Sequence, residues 1–278
     1  MTLQITSDKQ REYKDPDEVA EALNKRYELE QKRDALKQKS KPESPENETK
    51  QTEPTQITPI KVTEPEKYLI LPGNSHGKYN YDNSLISVEK TLHNKNWFDC
   101  HKELLKQGYH MPTIPQFIDF LNLLKSGKAF HANGTKADTK LLERILDEIL
   151  TVKSPWRSEW LDADFKVKGN DLYVNYSHTL DAKGNLLPKY SEKLTDYLTE
   201  DKTPGIDLNE WLKDANVHGL PKPNIKNGNL YYWAPDRDNN SVAGFLADSV
   251  RAALNCDRYP TYTYSDLGVR IITGEPKK

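Results

Sequence analysis

Every tryptophan and every phenylalanine of the chain lies at or beyond Trp97, which confines any large hydrophobic core to the later part of the sequence. Residues 1–66 carry two aromatics, Tyr13 and Tyr27. From Lys41 to Pro65 the chain reads KPESPENETKQTEPTQITPIKVTEP, a composition that buries too little apolar surface to offset its ordering entropy. Residues 40–66 therefore read as a flexible linker, residues 1–39 as a helical arm, and residues 67–278 as one compact α+β domain. Within the arm, Asp15-Pro16-Asp17-Glu18 is a helix start. Val19, Leu23 and Tyr27 give the helix a thin apolar stripe, which suits either docking to a partner or a solvated helix without one.

Local signals place elements inside the domain. Leu69–Leu71 reads as a strand and residues 92–106 as a helix closed by Gly108. Thr113-Ile114-Pro115-Gln116 has the form of a capping box, opening a helix that ends before Gly127. A third helix starts at Asp138 and buries Leu141, Leu142, Ile145, Leu146 and Ile149. Phe165–Lys168 and Leu172–Tyr176 flank Gly169-Asn170-Asp171 as a β-hairpin. Asp207–Asp214 reads as a short helix, and Gly73–Lys78 as a turn, since it lacks the Gly-Lys-Ser/Thr ending of a P-loop.

Charge and cysteine content exclude several functions. With 40 Lys+Arg against 42 Asp+Glu, a net charge of −2 offers no electrostatic basis for nucleic-acid binding. No apolar run is long enough to span a membrane, and the first residues lack the apolar core of a secretory signal. The expected location is open between cytoplasm, virus particle and cell surface. Cys100 and Cys256 cannot build a thiolate metal site alone and are expected as free buried thiols. His76, His93, His101, His110, His131, His178 and His218 are scattered through the chain, each reading as a surface or satisfied core residue. Glu159, Asp162 and Asp164 read as a solvated loop, and Trp156 and Trp160 as core. No catalytic residue, metal or cofactor is expected.

The carboxy-terminal segment changes character. Lys and Glu are absent from Asn227 to Gly274, although together they number 51 of the 278 residues. Between Tyr231 and Asp266, 18 of 36 residues are Tyr, Asp, Asn, Ser or Thr. Binding surfaces favour this palette, because Tyr gives large contact area at low entropy cost and Ser and Asn give adaptable hydrogen bonds. Turn composition accounts for Asn, Asp and Ser, but poorly for the missing Lys and Glu.

The run WAPDRDNNSVAGFLADSVRAALNCDRYPTYTYSDLGVRIIT resembles the end of a C-type lectin fold domain of the formylglycine-generating-enzyme type. Leu267-Gly268-Val269-Arg270 matches that family's final-strand signature, and Gly108–Phe117 is similar to its segment near the domain start. Within that fold the chain most resembles variable proteins of diversity-generating retroelements, which display residues rewritten by adenine-directed mutagenesis. The resemblance implies a non-catalytic ligand-binding display protein with a protein or other macromolecular ligand. The implied variable positions, in a segment at about 231–266, are Tyr231, Tyr232, Asp236, Asp238, Asn239, Ser241, Asp248, Asn255, Asp257, Tyr259, Tyr262, Thr263 and Tyr264. Trp233, Arg237, Gly244, Phe245, Ala247, Arg251, Arg258 and the Leu-Gly-Val-Arg strand are implied scaffold, with Arg237 and Arg258 bracing the surface through hydrogen bonds. The first and last strands are expected to pair, bringing Leu69–Leu71 near Val269–Ile272. Two alternatives remain at this point: a metal-dependent oxidoreductase of the same fold, and a fixed structural protein of a virion or cell surface. The copper chemistry of formylglycine generation needs a thiolate pair near this segment, and Cys256 stands there alone.

Overall fold

The computed structural model describes residues 62–273. The chain divides into two units, Met1–Thr55 and Gln56–Lys278, and the described residues belong to the second. The expected helix over residues 15–38 and most of the expected linker lie outside them. Val62 already packs beside the cluster of Ile70, Leu85 and Ala132, and Pro65–Lys67 forms a single 3-10 turn. The last residues assigned to the linker therefore belong to the folded domain.

A small sheet runs in the order β1 (Tyr68–Leu71), β4 (Ser84–Ser87), β14 (Ile272–Thr273), β5 (Tyr109–His110). The expected direct pairing of first and last strands is not found. Ile86 of β4 faces Leu69 on one side and Ile272 on the other, so one strand separates the two ends. Strands β2 (Asn74–His76) and β3 (Tyr79–Tyr81) form a separate hairpin; of the turn expected over Gly73–Lys78 only Gly77-Lys78 is turn, with Gly77 at φ 61°, and Asn74–His76 is strand.

The helices follow their capping signals. Helix α1 (Trp97–Lys106) begins at Asn96, whose side chain accepts from the Asp99 amide. It starts later than the pattern predicts because Leu92 and Asn94 hold positive φ angles of 52° and 60°, which no helix accommodates. Helix α2 (Ile114–Ser126) has both halves of the Thr113–Gln116 capping box and ends on Gly127 in the left-handed region. Asp138 caps α3 (Thr139–Leu150), and Asp207 caps α4 (Leu208–Asp214).

The eight-stranded sheet carries the architecture. Its order is β8 (Leu186–Lys193), β7 (Asp171–Leu180), β6 (Arg157–Lys168), β11 (Ser241–Ala247), β12 (Ala252–Arg258), β10 (Leu230–Trp233), β9 (Lys202–Ile206), with β13 (Leu267–Gly268) paired to β6. The predicted hairpin is the β6–β7 turn, extended well beyond its expected length. On one face, Leu161, Ala163, Phe165, Phe245, Leu254 and Cys256 join α2, α3 and α4 in the main core. On the other face, α1 covers β6 through Trp97, Cys100, Leu104, Trp160 and Val242. Cys100 and Cys256 are free and buried in these two different clusters. Strand alternation thus gives the sheet one fully packed face and one covered only in part. Among the described residues, no helix is long and apolar enough to cross a membrane.

Candidate functional site

The part of the second face that α1 leaves uncovered is built from β10, β11 and β12. The residues on that side are Tyr231 and Trp233 on β10, Leu246 on β11, and Ala253, Asn255 and Asp257 on β12; Trp233, Leu246 and Ala253 are buried, and Tyr231, Asn255 and Asp257 are partly exposed. Trp233, Leu246 and Ala253 form one apolar cluster with Tyr231 and Trp156 packed against it. After β12 the chain turns back across the sheet toward the start of β6, where the Ser158 amide donates to the Asp266 carbonyl at 3.1 Å. This returning loop carries Tyr259, Tyr262 and Tyr264, exposed by 42%, 38% and 48%.

The rings form two runs that meet at a small apolar cluster. Tyr259 meets Tyr262 at 5.6 Å between centroids, Tyr262 meets Tyr264 at 5.8 Å, and Tyr264 meets Trp156 edge-on at 5.3 Å. Trp156 and Tyr231 both pack against the cluster of Trp233, Leu246 and Ala253, and the Trp233 ring lies 5.7 Å from that of Tyr231. Two guanidinium groups brace the runs by stacking on their aromatic faces. Arg251 sits 4.9 Å over Trp233, and Arg258 sits 5.5 Å over Trp156 and 4.8 Å over Trp160. Arg258 also donates to the Ser158 hydroxyl at 2.6 Å, and Arg237 to the Asn170 carbonyl at 2.6 Å. Gly244 lets β6 and Arg258 approach, since a Cβ there would lie 3.0 Å from the Glu159 carbonyl and 3.1 Å from the arginine stem.

The thirteen positions implied as variable fall into three groups. Tyr231, Asn255, Asp257, Tyr259, Tyr262, Thr263 and Tyr264 lie on this face or its returning loop. Asp236, Asp238 and Asn239 lie in the exposed β10–β11 loop, and Asp248 in the turn after β11. Three of these four side chains also accept backbone hydrogen bonds. Asn239 accepts from the Val167 amide, Asp238 from the Asn240 amide, and Asp248 from the Val250 and Arg251 amides. Tyr232 and Ser241 form the third group and correct the expectation. Tyr232 is 0% exposed and donates its hydroxyl to the Leu198 carbonyl, while Ser241 is 1% exposed. The signal was available, because period-two alternation along Leu230-Tyr231-Tyr232-Trp233 puts Tyr232 on the same side as the core residue Leu230. Composition alone hides that alternation.

Asp257 is the electrostatically unusual member. Burial first, then the nearby carboxylates of Asp236 and Asp201, raise it from 3.8 to about 6. The folded state therefore binds this proton more tightly than the unfolded chain, so stability falls as pH rises from about 4 to about 6 and stays lost above. Asp257→Asn is expected to stabilise the domain at pH 7.5 by an amount on the order of 1–2 kcal/mol and to be nearly neutral at pH 4. Urea titrations at the two pH values test this. Equal effects at both would contradict it.

Other sequence expectations are also corrected. Glu159, Asp162 and Asp164 do not form a solvated loop; all three lie on β6, with Glu159 3% and Asp162 2% exposed. Trp160 is core, but Trp156 is half-buried at the end of one aromatic run. Among the histidines, His178 and His101 converge on Asp162. The His178 Nδ1 lies 2.5 Å, and the His101 Nε2 3.5 Å, from Asp162 Oδ1. The His178 backbone amide donates to Asp162 Oδ2 at 3.1 Å. Burial works to lower the pKa of His178, but Asp162 and Asp164 outweigh it and raise it to about 9; burial holds His101 at about 3. Elsewhere His76 pairs with Asp119 at 2.6 Å and His218 with Glu192 at 3.1 Å.

Comparison with family models, curated proteins and solved structures finds no match for this chain. The class that the structure defines is an α+β domain with a loop of exposed tyrosines beside one face of its large sheet.

Proposed function

We propose that this chain is a ligand-binding display protein, a variable protein of a diversity-generating retroelement carried on a C-type lectin fold of the formylglycine-generating type, and not a catalyst. The observation that carries this reading is the pair of aromatic runs, Tyr259 to Trp156 and Trp233 to Tyr231, all of them except Trp156 drawn from the segment that lacks Lys and Glu. Exposed tyrosines held by a packed scaffold are the arrangement in which aromatic side chains dominate binding energy. The segment's composition fits a template whose Asn codons are rewritten at adenines to Tyr, Asp, Ser and Thr, whereas Lys codons also yield stops. The partner is a protein or other macromolecule touching Tyr259, Tyr262, Tyr264, Asp257 and Tyr231. Tyr232 and Ser241 drop out of the variable set, because their side chains fill the interior.

The reading predicts a sharp contrast in tolerance. Replacing Tyr259, Tyr262 and Thr263 together with serine or asparagine should change stability by less than about 1 kcal/mol. Tyr232→Ser should cost about 3 kcal/mol or more through the cavity and the orphaned Leu198 carbonyl. Similar losses at both sites would contradict a display surface. The decisive test is nucleotide sequencing around the gene. A near-identical repeat of the segment encoding residues 231–270, differing only at adenines and lying beside a reverse transcriptase, supports diversification. Its absence would leave a fixed binder.

A further inference from the structure

We infer that His101, Asp162 and His178 form a buried site for one divalent transition metal, zinc by the chemistry of its donors, that staples α1 to the second face of the large sheet. One ligand atom from each residue lies within 4.8 Å of the others, and all three residues are buried. They come from three elements: His101 from α1, Asp162 from β6 and His178 from β7. His178 reaches the group because Ser177 breaks the strand with a φ of 54°. Tyr176, on the near side of that break, joins the main core, while the His178 ring faces Trp97 and His101 at 5.0 and 5.1 Å. A serine in the left-handed region costs on the order of 1 kcal/mol or more and persists where surrounding structure demands it.

A second observation points to a ligand. His101 Nε2 is buried with no hydrogen-bond partner, although it faces Asp162 at 3.5 Å. An orphaned imidazole nitrogen in the interior is costly, and a cation between it and Asp162 would satisfy it. Its separation from Asp162 Oδ1 matches an edge of a tetrahedral zinc site, about 3.3 Å for bonds near 2.0 Å. The shorter His178–Asp162 contact would open by about 1 Å when the metal takes the place of the shared proton. Two imidazoles and one carboxylate suit zinc rather than calcium or magnesium, which prefer oxygen cages. Asp162 and Ser177 also line a cavity of about 10 Å³, the size of one water, together with Tyr79, His110, Thr113 and Gln116. The staple lies beside the proposed display face, and α1 also reaches it directly, since the Trp97 amide donates to the Pro260 carbonyl of the tyrosine loop at 2.9 Å.

The test uses the full chain, stripped with chelator and dialysed against zinc, with bound metal counted by elemental analysis. The expected result is one zinc per chain, with affinity reduced about a hundredfold or more in His101→Gln. Cobalt added to the wild-type chain gives a readout that needs no variant, through the ligand-field bands of a low-symmetry nitrogen–oxygen site. Zinc retained equally by His101→Gln, or a folded wild-type chain that holds no zinc and shows no cobalt bands, would overturn the inference. It would leave the group as a proton-bridged ion pair. The outcome is independent of whether the tyrosine surface is diversified.

Discussion

Replacing Glu159 with alanine is expected to destabilise the domain by about 3–5 kcal/mol, because it strands a buried guanidinium. Arg270 is 0% and Glu159 3% exposed, and the Arg270 Nε lies 3.1 Å from Glu159 Oε2. The same guanidinium donates to the Ser87 and Val88 carbonyls at the end of β4 and stacks 5.4 Å over Phe120 of α2. One side chain thus joins the small sheet, the large sheet and the main helix. Next to it, Gly268 lets β13 pass close to the backbone at Thr91, whose carbonyl would stand 2.9 Å from an added Cβ. The sequence Leu267-Gly268-Val269-Arg270 is therefore the junction of the two sheets, whatever family it comes from. Urea denaturation measures the loss as a lowered midpoint. Glu159→Leu with Arg270→Met should recover most of it, since removing both charges spares the penalty of one left alone. A double variant as unstable as Glu159→Ala would show that the arginine's carbonyl contacts, and not the unpaired charge, set the cost.

What was legible in the sequence was local. The Thr113–Gln116 box, the Asp138 and Asp207 caps, Gly127 and the turn at Gly169-Asn170 all act within a few residues, and each element formed where its cap placed it. The Arg270–Glu159 pair, the β4 strand inserted between the chain's first and last strands, and the His101–Asp162–His178 group depend on contacts between distant segments. No spacing rule announces them. His178 illustrates the difficulty, since a regular strand would have kept it on the side of Tyr176, and the φ reversal at Ser177 redirects it. The proposed binding face was half visible. Composition located the segment, but assigning its residues to one face required the alternation that separates Tyr231 from Tyr232.

Trp97→Ala is the substitution expected to couple the core to the tyrosine loop most directly, with a loss of about 3–5 kcal/mol. The ring is 1% exposed and packs edge-on against His101 at 4.2 Å and His178 at 5.0 Å, and its Nε1 donates to the Leu161 carbonyl at 2.9 Å. Truncation opens a cavity beside two buried imidazoles and orphans that carbonyl. The backbone of residue 97 also holds Pro260, and the Asn94 amide holds the Tyr264 carbonyl at 3.1 Å, so loosening the start of α1 loosens both ends of the tyrosine loop. Chymotrypsin, which cuts beside aromatic residues, reads this separately from global unfolding. Cleavage near Tyr259–Tyr264 should accelerate in Trp97→Ala under conditions where the β6–β7 hairpin stays protected. Trp97→Phe keeps most of the packing but not the hydrogen bond, and should fall between the two in both assays. If the loop is cut no faster in Trp97→Ala than the rest of the domain unfolds, then α1 is not what holds the tyrosine loop in shape, and the sheet beneath it must be sufficient.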